Sequence, residues 1–96
     1  MRAIHSGEIL REEFLVPLKM SANALAMALH VPAPRINDII RERRAITPDT
    51  ALRLARYFDT TAQFWLNLQS AFDVKQAESK SAERVAVEVR PMQRAA

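Results

Sequence analysis

Arg35, Asn37, Asp38 and Arg41 fall within seven consecutive positions, and Arg43 and Arg44 follow directly. Guanidinium and carboxamide groups are planar, forked hydrogen-bonding groups that neither attack nor abstract protons at neutral pH. Their chemistry is recognition. An arginine fork matches the O6 and N7 edge of guanine, and a carboxamide matches N6 and N7 of adenine. Asp38 can accept from a cytosine amine, although pairing with Arg41 or Arg35 is the stronger expectation. Ala33 and Pro34, just upstream, can pack on a thymine methyl. Ser21 and Asn23, beside amides that open a helix, suit phosphate oxygens, as do Arg43 and Arg44.

Catalytic chemistry finds little support. His5 and His30 are the only imidazoles, no ligand spacing surrounds them, and there is no cysteine, so neither a metal site nor a thiol nucleophile is expected. His5, Ser6 and Glu8 resemble base, nucleophile and acid, but neighbours at a helix start are poorly placed to act as a triad. His30 reads as a turn residue that could touch a phosphate when protonated. Gly7 is the single glycine, which excludes a glycine-rich phosphate loop or dinucleotide fingerprint of the usual form. A non-enzyme without cofactor or metal is expected.

The recognition residues need a rigid frame, and LAMALHVPAPRINDII, Leu25 to Ile40, supplies one. Leu25, Ala26 and Leu29 make one apolar stripe; Ile36, Ile39 and Ile40 make another, with His30, Val31 and Pro32 between them. Each stripe is too short to form a stable helix alone, so the two must pack on each other and on a shared core. That is a helix-turn-helix pattern. Ala26 is the small residue where the helices cross, Val31 the buried turn residue, and Ile36 and Ile39 anchor the second helix. Ala33, Pro34, Asn37, Asp38 and Arg41 then share its outer face, with Arg35 beside them, in position for a major groove.

The flanks read as three more helices. Ser6 is expected to cap a first helix that runs to about Leu15 and is ended by Pro17, with Ile9, Leu10 and Phe14 on one face. Ser21 caps the second, Ala22 to Leu29, and the third runs from Pro32 or Ala33 to about Arg41, Pro34 being tolerated in its first turn. Thr47-Pro48-Asp49 combines a cap, a first-turn proline and an acid at the positive helix end. The fourth helix so begun should reach about Phe58 and bury Ala51, Leu52, Leu54, Ala55 and Phe58. Thr60 or Thr61 caps a fifth, with Phe64, Trp65, Leu68, Ala71 and Phe72 in an apolar stripe that serves as core or as a dimer or partner surface.

A chain of 96 residues with 49% hydrophobic content supports one modest core. We expect a DNA-binding domain over residues 1–77 and an extension over residues 78–96. In the extension Val85, Val87 and Val89 alternate with Ala86, Glu88 and Arg90 before Pro91, which predicts a short strand, or a segment disordered until bound. Net charge is only +3, but Arg35, Arg41, Arg43, Arg44, Arg53 and Arg56 face just Asp38, Glu42 and Asp49. Glu8, Glu12 and Glu13 make the first helix acidic, giving a bipolar surface suited to two partners. No apolar run approaches the roughly 20 residues of a membrane span, and MRAIHSGEIL turns acidic too early for a signal peptide. A soluble, cytoplasmic protein without membrane contact is expected.

From His5 to Val74 the chain resembles HigA-type antitoxins of the XRE group, which have a lambda-repressor-like fold. HSGEILREEFL, NALAMALHVPAPRINDII, RAITPDTALRLARYF and TTAQFWLNLQSAFD occur in the family's order and spacing. The resemblance implies a homodimer that represses its own operon by binding double-stranded operator DNA and neutralises a RelE/HigB-like toxin, a ribosome-dependent mRNA endoribonuclease. A stand-alone XRE-type regulator without a toxin would carry the same motif, as would an interaction module that has lost DNA affinity. Two positions depart from the family's pattern. His30 and Glu42 stand where glycines are usual, and Glu42 would either lengthen the third helix by a turn or bring an acid near phosphate.

Overall fold

A computed structural model describes residues 2–93. The chain is all-α, with five helices and no strand among the described residues. Helix α1 opens as Ser6–Ile9, continues in π register over Leu10–Leu15 and closes as Val16–Leu18. Helices α2 (Ala22–Leu29), α3 (Ala33–Ile40), α4 (Pro48–Phe58) and α5 (Ala62–Glu88) follow.

Local sequence explains most boundaries. Ser21 accepts from the Ala24 amide, Thr47 from Thr50 and Thr61 from Phe64, each satisfying a donor that the first helical turn cannot. Pro17 does not end α1. The turn before it has relaxed to π register, with the Val16 amide donating to the Arg11 carbonyl, and the proline ring enters the last turn without breaking the helix. The α1 cap is His5 rather than Ser6: its Nδ1 accepts from the Gly7 amide at 2.8 Å.

The core joins Leu10 and Leu15 of α1, Leu25, Ala26 and Leu29 of α2, Ile36 and Ile39 of α3, Ala51 and Leu54 of α4, and Trp65 of α5. Trp65 is fully buried against Phe14, and its indole donates to the Thr60 hydroxyl at 2.8 Å. Leu52, expected inside, is 63% exposed. The buried side of α4 follows positions 51, 54, 55 and 58, and one residue's step turns a side chain about 100° off that stripe. Ala71 is exposed for the same reason, one step off the face on which Gln69 is buried and Phe72 packs against His5.

Helix α5 passes through Ala77 without interruption and ends only at Glu88, so the expected strand at Val85 to Val89 is helix except for its last residue. A lone strand would leave its backbone groups unpaired, whereas a helix satisfies them internally. Glu78, Lys80, Ala82, Glu83, Arg84 and Ala86 are all good helix formers. Residues 94–96 of the extension lie outside the described residues.

One polar side chain ties α1, α5 and the segment after α3 together by hydrogen bonds. Gln69, 6% exposed, accepts from the Ser6 hydroxyl at 2.6 Å and from the Ile46 amide at 2.8 Å through the same oxygen. Its amide donates to Asp73 at 3.0 Å. Gln69→Leu would leave two buried donors without an acceptor, and we expect a loss of about 2–5 kcal/mol, readable by urea unfolding. A loss below that of an ordinary surface substitution would refute this role.

His5 yields a pH dependence. Burial first, opposed by Glu42 and Asp73, lowers its pKa below the ordinary 6.5. The folded state therefore favours the neutral imidazole, whose Nδ1 is the capping acceptor. The unfolded chain binds the extra proton first, so this contribution to stability is complete above 6.5 and declines as pH falls through the lowered value. Unfolding titrations from pH 7.5 to 5 should show this slope in the wild type and a shallower one in His5→Asn.

Candidate nucleic-acid interface

Helices α2 and α3 cross tightly because the residues between and beneath them are small or left-handed. Ala26 is buried at the crossing. His30 sits at φ 58°, and the amides of His30 and Val31 return to the carbonyls of Met27 and Ala26 at 3.2 and 3.0 Å. This paired closure satisfies the last carbonyls of α2 and turns the chain into α3. On the other side of α3, Gly7 lies against the Ile39 carbonyl so closely that a Cβ would collide with backbone. Gly7 thus lets α1 brace the second half of α3.

The expected recognition residues are gathered on α3 and its flanks, most of them already engaged. Pro34 and Arg41 are exposed, while Ala33 is half-buried with its methyl against the core. The Asn37 amide donates to Asn23 Oδ1 at 2.9 Å and to the Ala33 carbonyl at 3.1 Å, which joins α3 to α2 and leaves the Asn37 oxygen free to accept. Ser21, as the α2 cap, already accepts from the Ala24 amide and has its hydroxyl proton to offer. Arg35 Nη1 donates to Asp49 Oδ2 at 2.9 Å.

Asp38 pairs with neither Arg35 nor Arg41 but stands 3.8 Å from Arg44. The cause is the end of α3. Glu42 takes φ 63°, and the amides of Glu42 and Arg43 bond back to Ile39 at 2.9 Å and to Asp38 at 2.8 Å. That closure folds the chain over the helix end and delivers Arg44 to Asp38. It also decides the first of the two expectations for Glu42. Helix α3 is not lengthened, and the Glu42 carboxylate meets Arg11 of α1 at 3.6 Å. Arg11 in turn donates to the Ile40 carbonyl.

Each acid of the basic segment is therefore occupied. Hydrogen bonds from Arg53 first and Arg35 second hold the Asp49 carboxyl below its ordinary range. Among the described residues, Arg41, Arg43 and Arg56 have no carboxylate within 4.0 Å. Arg11, Asp49 and Arg53 were absent from the residues singled out for recognition. The spacing of Asp49 and Arg53, one helical turn apart, is the signal that links that pair. Among the described residues no group of three or more potential metal ligands occurs, and no helix is long and apolar enough to cross a membrane.

A helix-turn-helix family profile matches residues 10–65, from within α1 to the first turn of α5. The chain belongs to the helix-turn-helix family. Within it the likeness is to the HigA type of the XRE group. The Pseudomonas aeruginosa antitoxin HigA, solved with the higBA promoter, is 51% identical and superposes with a TM-score of 0.94 over 96% of this chain and 100% of that one. An addiction module antidote protein of the HigA family from Coxiella burnetii is 53% identical, with a TM-score of 0.92 over 96% and 100%. Virulence-associated protein I of Dichelobacter nodosus is 65% identical over 78 residues, 81% of this chain and 72% of that protein.

Proposed function

We propose that this helix-turn-helix protein is an antitoxin and autorepressor, which binds its own operator as a homodimer and neutralises a RelE/HigB-like toxin. The observation that carries the DNA half is the outer face of α3. Arg35 and Asn37 on α3 and Arg41 at its end lie on a helix braced by α1 and α2 and tied to α4 through Arg35 and Asp49, and the Pseudomonas aeruginosa relative solved with promoter DNA supports the reading. On this proposal Pro34, Ala33, Arg35, Asn37, Asp38 and Arg41 meet base edges, and Ser21, Asn23, Arg43 and Arg44 meet phosphates. Asn37 reads through its free oxygen, as its amide protons are committed to α2 and to its own helix.

Two copies are needed because one reading helix contacts too few base pairs, whereas two, about 34 Å apart, read a palindrome. The functional boundary is placed at Ala77. Residues 1–77 form the DNA-binding unit, and the extension joins the copies. Support for this comes from the far half of α5, where Val74 and Val85 are more than half exposed in line with Ala77, Ser81 and Ala82. A projecting helical segment of that length is marginal in water without a partner.

The test is operator binding by gel shift beside rescue of growth from the toxin. Arg35→Ala and Asn37→Ala should each weaken binding to the chain's own promoter by about tenfold or more while rescue persists. Affinity should fall steeply with salt, and removing Arg43 or Arg44, which takes one phosphate contact from each protomer of the dimer, should reduce that slope by about 1.8. Equal loss of binding and rescue would overturn the division of labour, and a chain that binds its promoter but rescues nothing would be a stand-alone regulator. Truncation after Ala77 should give a monomer by light scattering; an unchanged dimer mass would remove the extension from the interface.

A further inference from the structure

Arg35 is not a free surface arginine. The carboxylate that holds it is itself held. Asp49 Oδ2 accepts from Arg35 Nη1 at 2.9 Å and from Arg53 Nε at 3.0 Å, while Arg53 Nη1 donates to the Leu29 carbonyl at 2.9 Å. A relay thus runs from the last carbonyls of α2, through α4, to the reading face of α3. Each link is a charge-assisted hydrogen bond, and the final anchor is backbone.

We propose that Asp49, fixed by Arg53, is a positioning residue that presents the Arg35 guanidinium to one operator base pair and thereby sets the preference at that position. The inference rests on the DNA reading above. Arg35 spends one proton of Nη1 on Asp49, so Nε and Nη2 are left to form the fork that matches guanine O6 and N7. Arginine carries about 2 kcal/mol of rotamer entropy, and holding the side chain beforehand removes part of that cost from the binding step. An isolated exposed pair would add little, but here the carboxylate has two arginine donors and one of them is tied to an adjoining helix end.

This proposal and simple electrostatics disagree in sign. Asp49→Asn removes an acid beside a polyanion, so charge alone predicts tighter binding. Positioning predicts weaker and less selective binding. We would measure affinity for the promoter and for a set of operators substituted one base pair at a time, using wild type, Asp49→Asn, Arg35→Ala and the double variant, with urea unfolding to show that all are folded. The expected result is a loss of roughly five- to tenfold for Asp49→Asn, a flattened preference at the same base pair that Arg35→Ala flattens, and no further loss in the double variant. Asp49→Glu should restore part of the preference. Unchanged or tighter binding by Asp49→Asn, or an undiminished loss in the Arg35→Ala background, would overturn the positioning role alone. If wild type shows no sequence preference at all on its promoter, the DNA reading itself falls.

Discussion

The fold depends on one buried carboxamide. Gln69 gathers the start of α1, through Ser6, and the segment between α3 and α4, through the Ile46 amide, onto a single oxygen. Neither group could be buried without an acceptor, and no nearby backbone carbonyl takes that role. Because Ile46 precedes the Thr47 cap, the Gln69 oxygen also fixes where α4 begins, and hence where Asp49 stands relative to Arg35. A polar residue in the core thus registers α5 against α1 and the segment that follows α3, whereas an apolar side chain there would provide attraction without direction.

A second constraint is glycine poverty. Four helix ends close on a left-handed residue, and all four are non-glycine: Lys19, His30, Glu42 and Asp59. Each such residue costs on the order of 1–2 kcal/mol against an ordinary backbone, less for histidine and aspartate. The conformations persist because neighbouring amides bond back across each end, as Met20 does to Leu15 and Val31 does to Ala26. At Glu42 the side chain adds a tie to α1 that glycine could not make, since Arg11 bridges its carboxylate and the Ile40 carbonyl. The single glycine present serves a different need, the close approach of α1 to α3.

Signals confined to one or two turns of chain were legible in the residues. Ser21 and Thr47 cap the helices they announce, the stripes around Ala26 and Ile36 cross as their phases require, and His30 holds the turn. What was not legible depends on distant partners. Gln69 reads as a polar residue on a helix, because nothing local shows that Ser6 and Ile46 will converge on it. Pro17 reads as a stop because the π register that admits it depends on how the whole of α1 packs. The valine alternation reads as strand, since period two describes side chains, whereas the backbone's need for partners decided the outcome. Asp38 found Arg44 because the closure at Glu42 reverses the chain, a geometry that sequence spacing does not encode.

These ties bear on how a domain of low net charge can recognise a polyanion. The three acids among the basic residues are consumed internally: Asp38 by Arg44, Glu42 by Arg11, and Asp49 by Arg35 and Arg53. Their negative charge is offset close by, so Arg41 and Arg43 can act as unopposed cations although the chain carries a net charge of only +3. Arg35 and Arg53 are held by hydrogen bonds as well as offset in charge, which reduces long-range attraction while restricting those side chains to fewer orientations. Non-specific affinity scales with the number of phosphates neutralised, whereas discrimination scales with how well each donor is aimed. On the proposed DNA reading, an interface built this way gives up part of the first to gain the second, and a regulator that must find one promoter among many competing sites needs the ratio more than the affinity.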